Sequence, residues 1–128
     1  MTHLVDSDWI ADYLKGRPEA ITLLSSLAER GLAMSLVSYG EIYEGIYYGS
    51  DVKAHERSFY RLVRWVDVLP LRKPVMRRFA RIRGNLRQRG QLIGDPDILI
   101  AATAQHYDLV LVTRNLKDFQ RIPDLKLY

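Results

Sequence analysis

Short apolar runs alternate with amphipathic segments along the whole 128-residue chain. The apolar runs predict buried strands over 3–5, 32–36, 66–69 and 109–112, and a last edge strand over 125–128. Apolar positions at helical spacing predict helices over 7–13, 19–30, 38–48, 54–65, 74–89 and 97–107, with a helical turn over 116–119. Strands separated by helices predict an α/β fold, a three-layer α/β/α sandwich around a mainly parallel central sheet.

Two helix starts carry local signals of their own. Ser38 and Glu41 have the spacing of a capping box, which predicts that the third helix begins there and that Glu41 caps it. Asp95 followed by Pro96 predicts an N-cap with proline at the first helical position. The helix over 97–107 is apolar on most sides, so we expect it to be buried.

Length and composition limit the number of domains and the kinds of catalytic or metal site that this chain can have. The chain has no repeat or linker and fits a single domain over 1–128. It has no cysteine, which excludes disulfides, thiolate zinc sites and cysteine nucleophiles, and its three histidines lack ligand spacing. Any metal would therefore be held by carboxylates, which favours Mg²⁺ or Mn²⁺. No apolar run approaches a membrane span and no signal peptide is recognisable, so we expect a cytoplasmic protein.

Positive charge is concentrated in one predicted helix. The net charge is +4, and eight of the nineteen basic residues lie between Arg72 and Arg89, a segment that contains no acid. Such a segment predicts a polyanionic partner. The alternative is an ordinary solvated helix face, which the absence of balancing acids disfavours.

Polar side chains stand where the predicted strands end. Asp6 follows the first strand, Glu41 lies in the helix after the second, and Asn115 follows the strand over 109–112. Asp97, in the first turn of the apolar helix, joins them if that helix starts at the same edge of the sheet. Converging oxygen ligands of this kind suit a hard cation, and together with the basic helix they predict a phosphodiester hydrolase. Each acid also has a structural interpretation as a helix cap or a dipole partner.

Several motifs, in this order, resemble the VapC toxins, a family built on the PIN fold. They are LVDSD (4–8), SYGE (38–41), IGDPDILIAATA (93–104), LVTRNLKDF (111–119) and RIPDL (121–125). The resemblance covers essentially the whole chain, and its most specific parts are 97–104 and 113–119. It implies an endoribonuclease that cuts structured RNA such as transfer or ribosomal RNA and so arrests translation. It also implies a type II toxin–antitoxin pair with a cognate VapB-type antitoxin, and a homodimer.

The resemblance also implies roles for individual residues. Asp6 and Asp97 match the two metal-binding aspartates, and Glu41 matches the acid of the third helix. Asn115 falls where many PIN nucleases have a fourth aspartate, which favours a single-metal site. Thr113 is expected to orient an acidic side chain or the metal-bound water.

Other positions complete the expected site. Asp95 or Asp118 is a candidate to assist the three acids, whereas Asp8 stands where the family often has asparagine and is not expected to be a ligand. We expect the RNA-binding residues to be Arg77, Arg78, Arg81 and Arg114.

Two other classes remain open at this point. Asp6-Ser7-Asp8 and Gly94-Asp95 also resemble motifs of haloacid-dehalogenase phosphatases, which need in addition a catalytic lysine, for which Lys73 is the only late candidate. The second alternative is a catalytically silent RNA-binding or interaction module. Six aromatic residues on two helices favour a core or a dimer interface over a base-stacking platform: Trp9, Tyr13, Tyr39, Tyr43, Tyr47 and Tyr48.

Overall fold

A computed structural model describes all residues from Met1 to Tyr128. The strands are β1 (His3–Val5), β2 (Leu32–Ser35), β3 (Val66–Leu69) and β4 (Val110–Val112). The helices are α1 (Ser7–Leu14), α2 (Pro18–Ala28), α3 (Leu36–Tyr47), α4 (Val52–Leu62), α5 (Lys73–Gln88), α6 (Asp95–His106) and α7 (Leu116–Phe119). None of these helices combines the length and the apolar character needed to cross a membrane.

The four strands form one parallel sheet in the order β3-β2-β1-β4. The predicted edge strand over 125–128 is reduced to a single bridge in which Leu127 pairs with Leu111. It is held by two hydrogen bonds, from the Leu111 N–H to the Lys126 carbonyl (2.8 Å) and from the Tyr128 N–H to the Leu111 carbonyl (2.9 Å). The chain reaches this edge only after a left-handed turn at Asp124 (φ 63°), which leaves few residues to pair.

Helices cover both faces of the sheet, which confirms the predicted three-layer α/β sandwich. On one face, α5 and α6 pack over Leu4, Ala33 and Leu111. On the other, α1 to α4 pack over Val5, Leu32 and Met34. Alternate residues of each strand therefore enter different cores, as strand geometry requires. The apolar helix α6 is buried along most of its length, as predicted.

Both predicted helix caps are wrong. Helix α3 begins at Leu36, because the Ser35 hydroxyl accepts a hydrogen bond from the Val37 N–H (3.0 Å). Ser38 is consequently inside the helix and fully buried, and the side chain of Glu41 lies beyond the first turn.

At α6 the N-cap is Gly94, so that Asp95 is the first helical residue rather than the cap. The carboxylate of Asp95 pairs instead with the Arg83 guanidinium of α5, at 2.9 Å. An ion pair with the neighbouring helix has replaced the expected capping interaction.

Candidate active site

The parallel register brings the polar residues to one edge of the sheet. Val5 pairs with Val112, so the residues that follow them, Asp6 and Thr113, are neighbours at the carboxyl ends of β1 and β4. The Thr113 hydroxyl donates a hydrogen bond to Asp6 Oδ2 at 2.7 Å. Sequence positions 107 residues apart are thereby joined in one buried contact.

Asp6 is the most buried acid of the cluster, with 6% of its surface exposed. It caps α1, since Oδ1 accepts a hydrogen bond from the Ser7 N–H at 2.7 Å. The structural interpretation of Asp6 is thus correct and does not conflict with a role in the site. Burial, together with the negative charges of Asp8 and Asp97, raises the pKa of Asp6 to about 6, although its two hydrogen bonds act in the opposite direction.

Asp97 lies in the first turn of α6 and is linked to α7 by an amide. Asn115 Nδ2 donates to Asp97 Oδ2 and to Asp118 Oδ2, each at 3.1 Å. Burial and the charges of Glu41 and Asp118 raise the pKa of Asp97, and the hydrogen bond from Asn115 partly opposes them. The amide of Asn115 therefore separates two carboxylates that would otherwise repel.

Glu41 reaches the cluster from α3. The hydroxyl of Ser7 donates to Glu41 Oε1 at 3.1 Å and lies 3.4 Å from Asp6 Oδ1. Partial burial raises the pKa of Glu41, and the charges of Asp6 and Asp8 act in the same direction. The structure thus brings together Asp6, Glu41, Asp97, Thr113 and Asn115, all of them predicted site residues.

Three further residues belong to the cluster. Ser7 was missed by the sequence analysis, and its place directly after the strand-end aspartate was the available signal. Asp8 Oδ1 accepts from the Trp9 N–H (2.7 Å) and Oδ2 from the Arg114 N–H (2.9 Å), so it fixes the loop after β4. Of the two acids proposed to assist the site, Asp118 belongs to the cluster and Asp95 lies outside it.

No cation neutralises the core of this cluster. Asp6, Asp8, Glu41 and Asp97 take part in no ion pair, and the contact of Asp118 with Arg121 is long, at 4.0 Å. Carboxylate, hydroxyl and amide oxygens are ligands that suit Mg²⁺ or Mn²⁺. No group of three carboxylates is arranged as a preformed coordination shell, so the fit to a hard cation lies in charge and donor type.

The site lacks the further features that a haloacid-dehalogenase phosphatase requires. Its second acidic motif, at Asp95, is paired with Arg83 outside the cluster. No lysine contacts the acids, and the candidate Lys73 is an exposed first residue of α5.

The four predicted RNA-binding arginines are not brought together. Arg114 lies at the rim of the cluster, with its guanidinium 3.8 Å from the centroid of the Trp9 ring and paired with Asp12 (3.0 Å) and Glu19 (3.2 Å). Arg78, on α5, donates a hydrogen bond to Gln105 of α6 at 3.3 Å. Gln105 follows Asp97 by eight residues, so the two lie about 12 Å apart along the axis of α6. Arg77 and Arg81 are exposed on the same helix and form no ion pair.

An apolar groove of about 400 Å³ opens beside Glu41. Helices α1 and α3 and the start of α4 form it, with Leu14, Ile42 and Ile46 among its apolar lining and His55 at its edge. Of the six aromatic residues, Trp9, Tyr13, Tyr39 and Tyr43 pack at the border of the core, whereas Tyr47 and Tyr48 are 60% and 90% exposed.

Comparison with known proteins gives consistent results. The family model "PIN domain" matches residues 4–125. Ribonuclease VapC1 of Haemophilus influenzae is 30% identical over 128 residues, which cover 98% of this chain and 96% of that protein. Among solved structures, VapBC-1 from nontypeable Haemophilus influenzae has 29% identity and a TM-score of 0.86, with 100% and 97% of the two chains covered. A toxin–antitoxin complex from Klebsiella pneumoniae has 27% identity and a TM-score of 0.77, with 97% and 95% covered.

Proposed function

Because this chain belongs to the PIN-domain family and, within it, to the VapC ribonucleases, we propose that it is a metal-dependent endoribonuclease, the toxin of a type II toxin–antitoxin pair. The observation that carries the proposal is the acid cluster around the buried Asp6 at the carboxyl edge of the sheet. The pKa values of Asp6, Glu41 and Asp97 are raised, and none of the three forms an ion pair with a cation. A cluster kept in this state is suited to bind a divalent cation and, through it, a phosphodiester.

The proposed ligands of Mg²⁺, or of Mn²⁺, are Asp6, Glu41 and Asp97. A bound ion of this kind lowers the pKa of a coordinated water and neutralises charge on the scissile phosphate. Thr113 is a positioning residue, since its hydroxyl donates to Asp6 and accepts from the Asn115 N–H at 3.1 Å. Asn115 holds the carboxylate of Asp97 through its amide.

The proposed substrate is structured RNA, either transfer or ribosomal. The support is chemical: a net charge of +4 and an acid-free basic segment over 72–89 suit a polyanion. Cleavage of either RNA would arrest translation, and the proposal therefore places the protein in the cytoplasm.

The proposed partners are a VapB-type antitoxin and a second copy of this chain. The apolar groove beside Glu41 suits an antitoxin segment that covers the site, and the two solved complexes are similar to this chain over nearly its whole length. The exposed Tyr47, at the end of α3, and Tyr48, directly after it, support a protein interface at this end of the helix.

The test is cleavage of total transfer and ribosomal RNA by protein free of any antitoxin, with Mg²⁺, Mn²⁺ or chelator. Asp97→Asn keeps the shape of the side chain and removes its charge, so we expect the cleavage rate to fall by at least about a hundredfold. The matched control is Asp108→Asn, at an exposed acid that pairs with Lys126 and lies outside the cluster, which should cut at the parent rate.

Discrete fragments that require both the metal and Asp97 would support the nuclease. If Asp97→Asn cut RNA at the parent rate, the site assignment would be wrong. If the folded parent bound RNA without cutting it in either metal, the silent binding module would be the better description.

A further inference from the structure

The arginines of α5 fall into two groups according to their place along α6. The two helices run antiparallel, because Arg83 contacts Asp95 at the start of α6 and Arg78 contacts Gln105 near its end. The start of α6 carries Asp97 and lies at the carboxyl edge of the sheet. The second half of α5 is therefore beside the first turn of α6, and Arg78 lies about two helical turns further along α6.

A second guanidinium approaches the acid cluster from the segment after α7. Arg121 Nη2 lies 4.0 Å from Asp118 Oδ1, and Asp118 shares the Asn115 amide with Asp97. Arg89, at the end of α5, donates to the Arg121 carbonyl at 2.7 Å and so anchors this segment to the helix. Arg121 thus contacts an acid of the cluster, whereas Arg83 contacts Asp95, which is outside the cluster but in the same turn of α6 as Asp97.

Both guanidiniums retain donors for a ligand. Arg83 contacts Asp95 through Nε alone, so its two Nη groups are free, and its side chain is 36% exposed. Arg121 is 32% exposed and makes only a long contact with Asp118 and a 3.4 Å hydrogen bond to the Leu92 carbonyl. A phosphate offers oxygen acceptors of matching geometry to such planar forks.

We propose that Arg83 and Arg121 bind backbone phosphates of the RNA beside the acid cluster, whereas Arg77 and Arg78 contribute no direct contact. The inference rests on the proposed ribonuclease function and names the surface that holds its substrate. Its physical basis is that a cluster of acids repels a polyanion, so the neighbouring arginines must supply the attraction where the strand enters. The sequence-based expectation placed RNA binding on Arg77, Arg78, Arg81 and Arg114, and the two assignments predict different results.

The experiment compares two double variants that each lose two positive charges. Arg83→Gln with Arg121→Gln alters the surface beside the site, and Arg77→Gln with Arg78→Gln is the matched control on the far half of α5. Affinity for total transfer RNA is measured from low to moderate salt in the Asp97→Asn background, with Mg²⁺ present. Thermal unfolding verifies that each variant is folded.

We expect the first pair to weaken binding and to reduce the slope of log affinity against log salt by about 1.4 to 1.8, since each phosphate contact contributes about 0.7 to 0.9. The control pair should leave the slope unchanged. With Asp97 intact, the first pair should also lower kcat/KM for cleavage, and the control pair should not.

Equal effects of the two pairs, or a larger effect of the control pair, would overturn the inference while the parent still cleaves RNA. If the parent neither binds nor cleaves RNA, the proposed function fails and the inference falls with it. The parent measurement therefore distinguishes the two failures.

Discussion

Asp6 and Asp108 lie at opposite ends of the parallel strands. Asp6 directly follows β1, at the carboxyl edge, whereas Asp108 shortly precedes β4, at the amino edge, and their electrostatic environments are opposite. Asp6 is buried among other acids, and its pKa is raised to about 6. The side chain of Asp108 is 82% exposed and pairs with Lys126 Nζ at 2.6 Å. The hydrogen bond and charge of Lys126 lower the pKa of Asp108 below its usual range.

The difference between the two aspartates shows that the acids of the site, unlike the peripheral acids, reduce the stability of the folded protein. The protein has nineteen basic residues, and three of them pair with peripheral acids, Arg83 with Asp95, Arg114 with Asp12 and Lys126 with Asp108. None of the nineteen forms an ion pair with Asp6, Glu41 or Asp97. A buried charge without a partner destabilises the folded state, so this omission is typical of a binding site rather than of a structural network.

The largest expected effect is that of Asp6→Asn. Asparagine also caps a helix, so the variant should fold, but without the charge its cleavage rate should fall about a thousandfold or more, since a catalytic metal supplies several kcal/mol. The measurement is RNA cleavage at saturating Mg²⁺, with circular dichroism as the check on folding. A variant that cleaves normally would remove Asp6 from the site.

The same variant tests the raised pKa in metal-free protein. A carboxyl whose folded pKa is raised from 3.8 to about 6 holds its proton longer in the folded state. The ionised carboxylate therefore destabilises the folded state little below about pH 4 and increasingly as the pH rises. The effect is complete above about pH 6, where it amounts to about 3 kcal/mol. The stability of Asp6→Asn relative to the parent should increase by about that amount between pH 3.5 and pH 7.5. A difference that does not change with pH would contradict the raised pKa.

The second effect concerns the metal. An ion that binds only the folded state at about one hundred times its Kd stabilises that state by about 2.7 kcal/mol. We expect Mg²⁺ or Mn²⁺ to raise the Tm of the parent, and to do so more at pH 7 than at pH 5, because Asp6 then loses its proton. Asp6→Asn should abolish this increase in Tm. An equal increase in both proteins would place the ion elsewhere.

Most of the fold could be predicted from the sequence because its signals are local. The boundaries of β3 and α7 were predicted as the structure has them, and the apolar run over 109–112 identified a strand of the parallel sheet, although β4 is the last of its four strands and not an inner one. The helix caps failed because a capping motif competes with its neighbours. Ser35 caps α3 in place of the predicted Ser38 and Glu41, and Asp95 forms an ion pair with Arg83 instead of capping α6.

The acids of the site could be predicted for a different reason. The carboxyl ends of parallel strands share one edge, so topology alone brings Asp6 to Thr113. Charge patterning carried less information, since the basic run over 72–89 spans about four helical turns of α5 and the sequence does not say which end lies beside the site. That required the contacts of Arg83 and Arg78 with α6.

A smaller effect is expected for Asn115→Asp, which would make the edge of the sheet still more acidic. The variant replaces an amide that donates to Asp97 and Asp118 with a third carboxylate. Without metal, the free energy of unfolding should fall by about 1–3 kcal/mol, and Mg²⁺ or Mn²⁺ should restore more stability than it adds to the parent.

The matched control for this variant is Asn85→Asp. It adds the same charge beside Arg89, outside the site, and should not reduce stability. Equal stabilities of Asn115→Asp and Asn85→Asp in chelator would show that repulsion in the cluster is weak.

The smallest effect is expected for Asp108→Asn at the opposite edge. Asp108 has a left-handed backbone (φ 54°), which asparagine adopts readily, so the substitution removes the ion pair with Lys126 and little else. Exposed ion pairs contribute little, so RNA cleavage and the increase in Tm with Mg²⁺ should equal those of the parent. Because the pKa of Asp108 is lowered, any contribution to stability is present at neutral pH and lost as the pH falls, and the two proteins should converge in acid. A loss of cleavage in this variant would mean that the two edges are coupled, and that the unpaired acids at Asp6 do not act as an independent site.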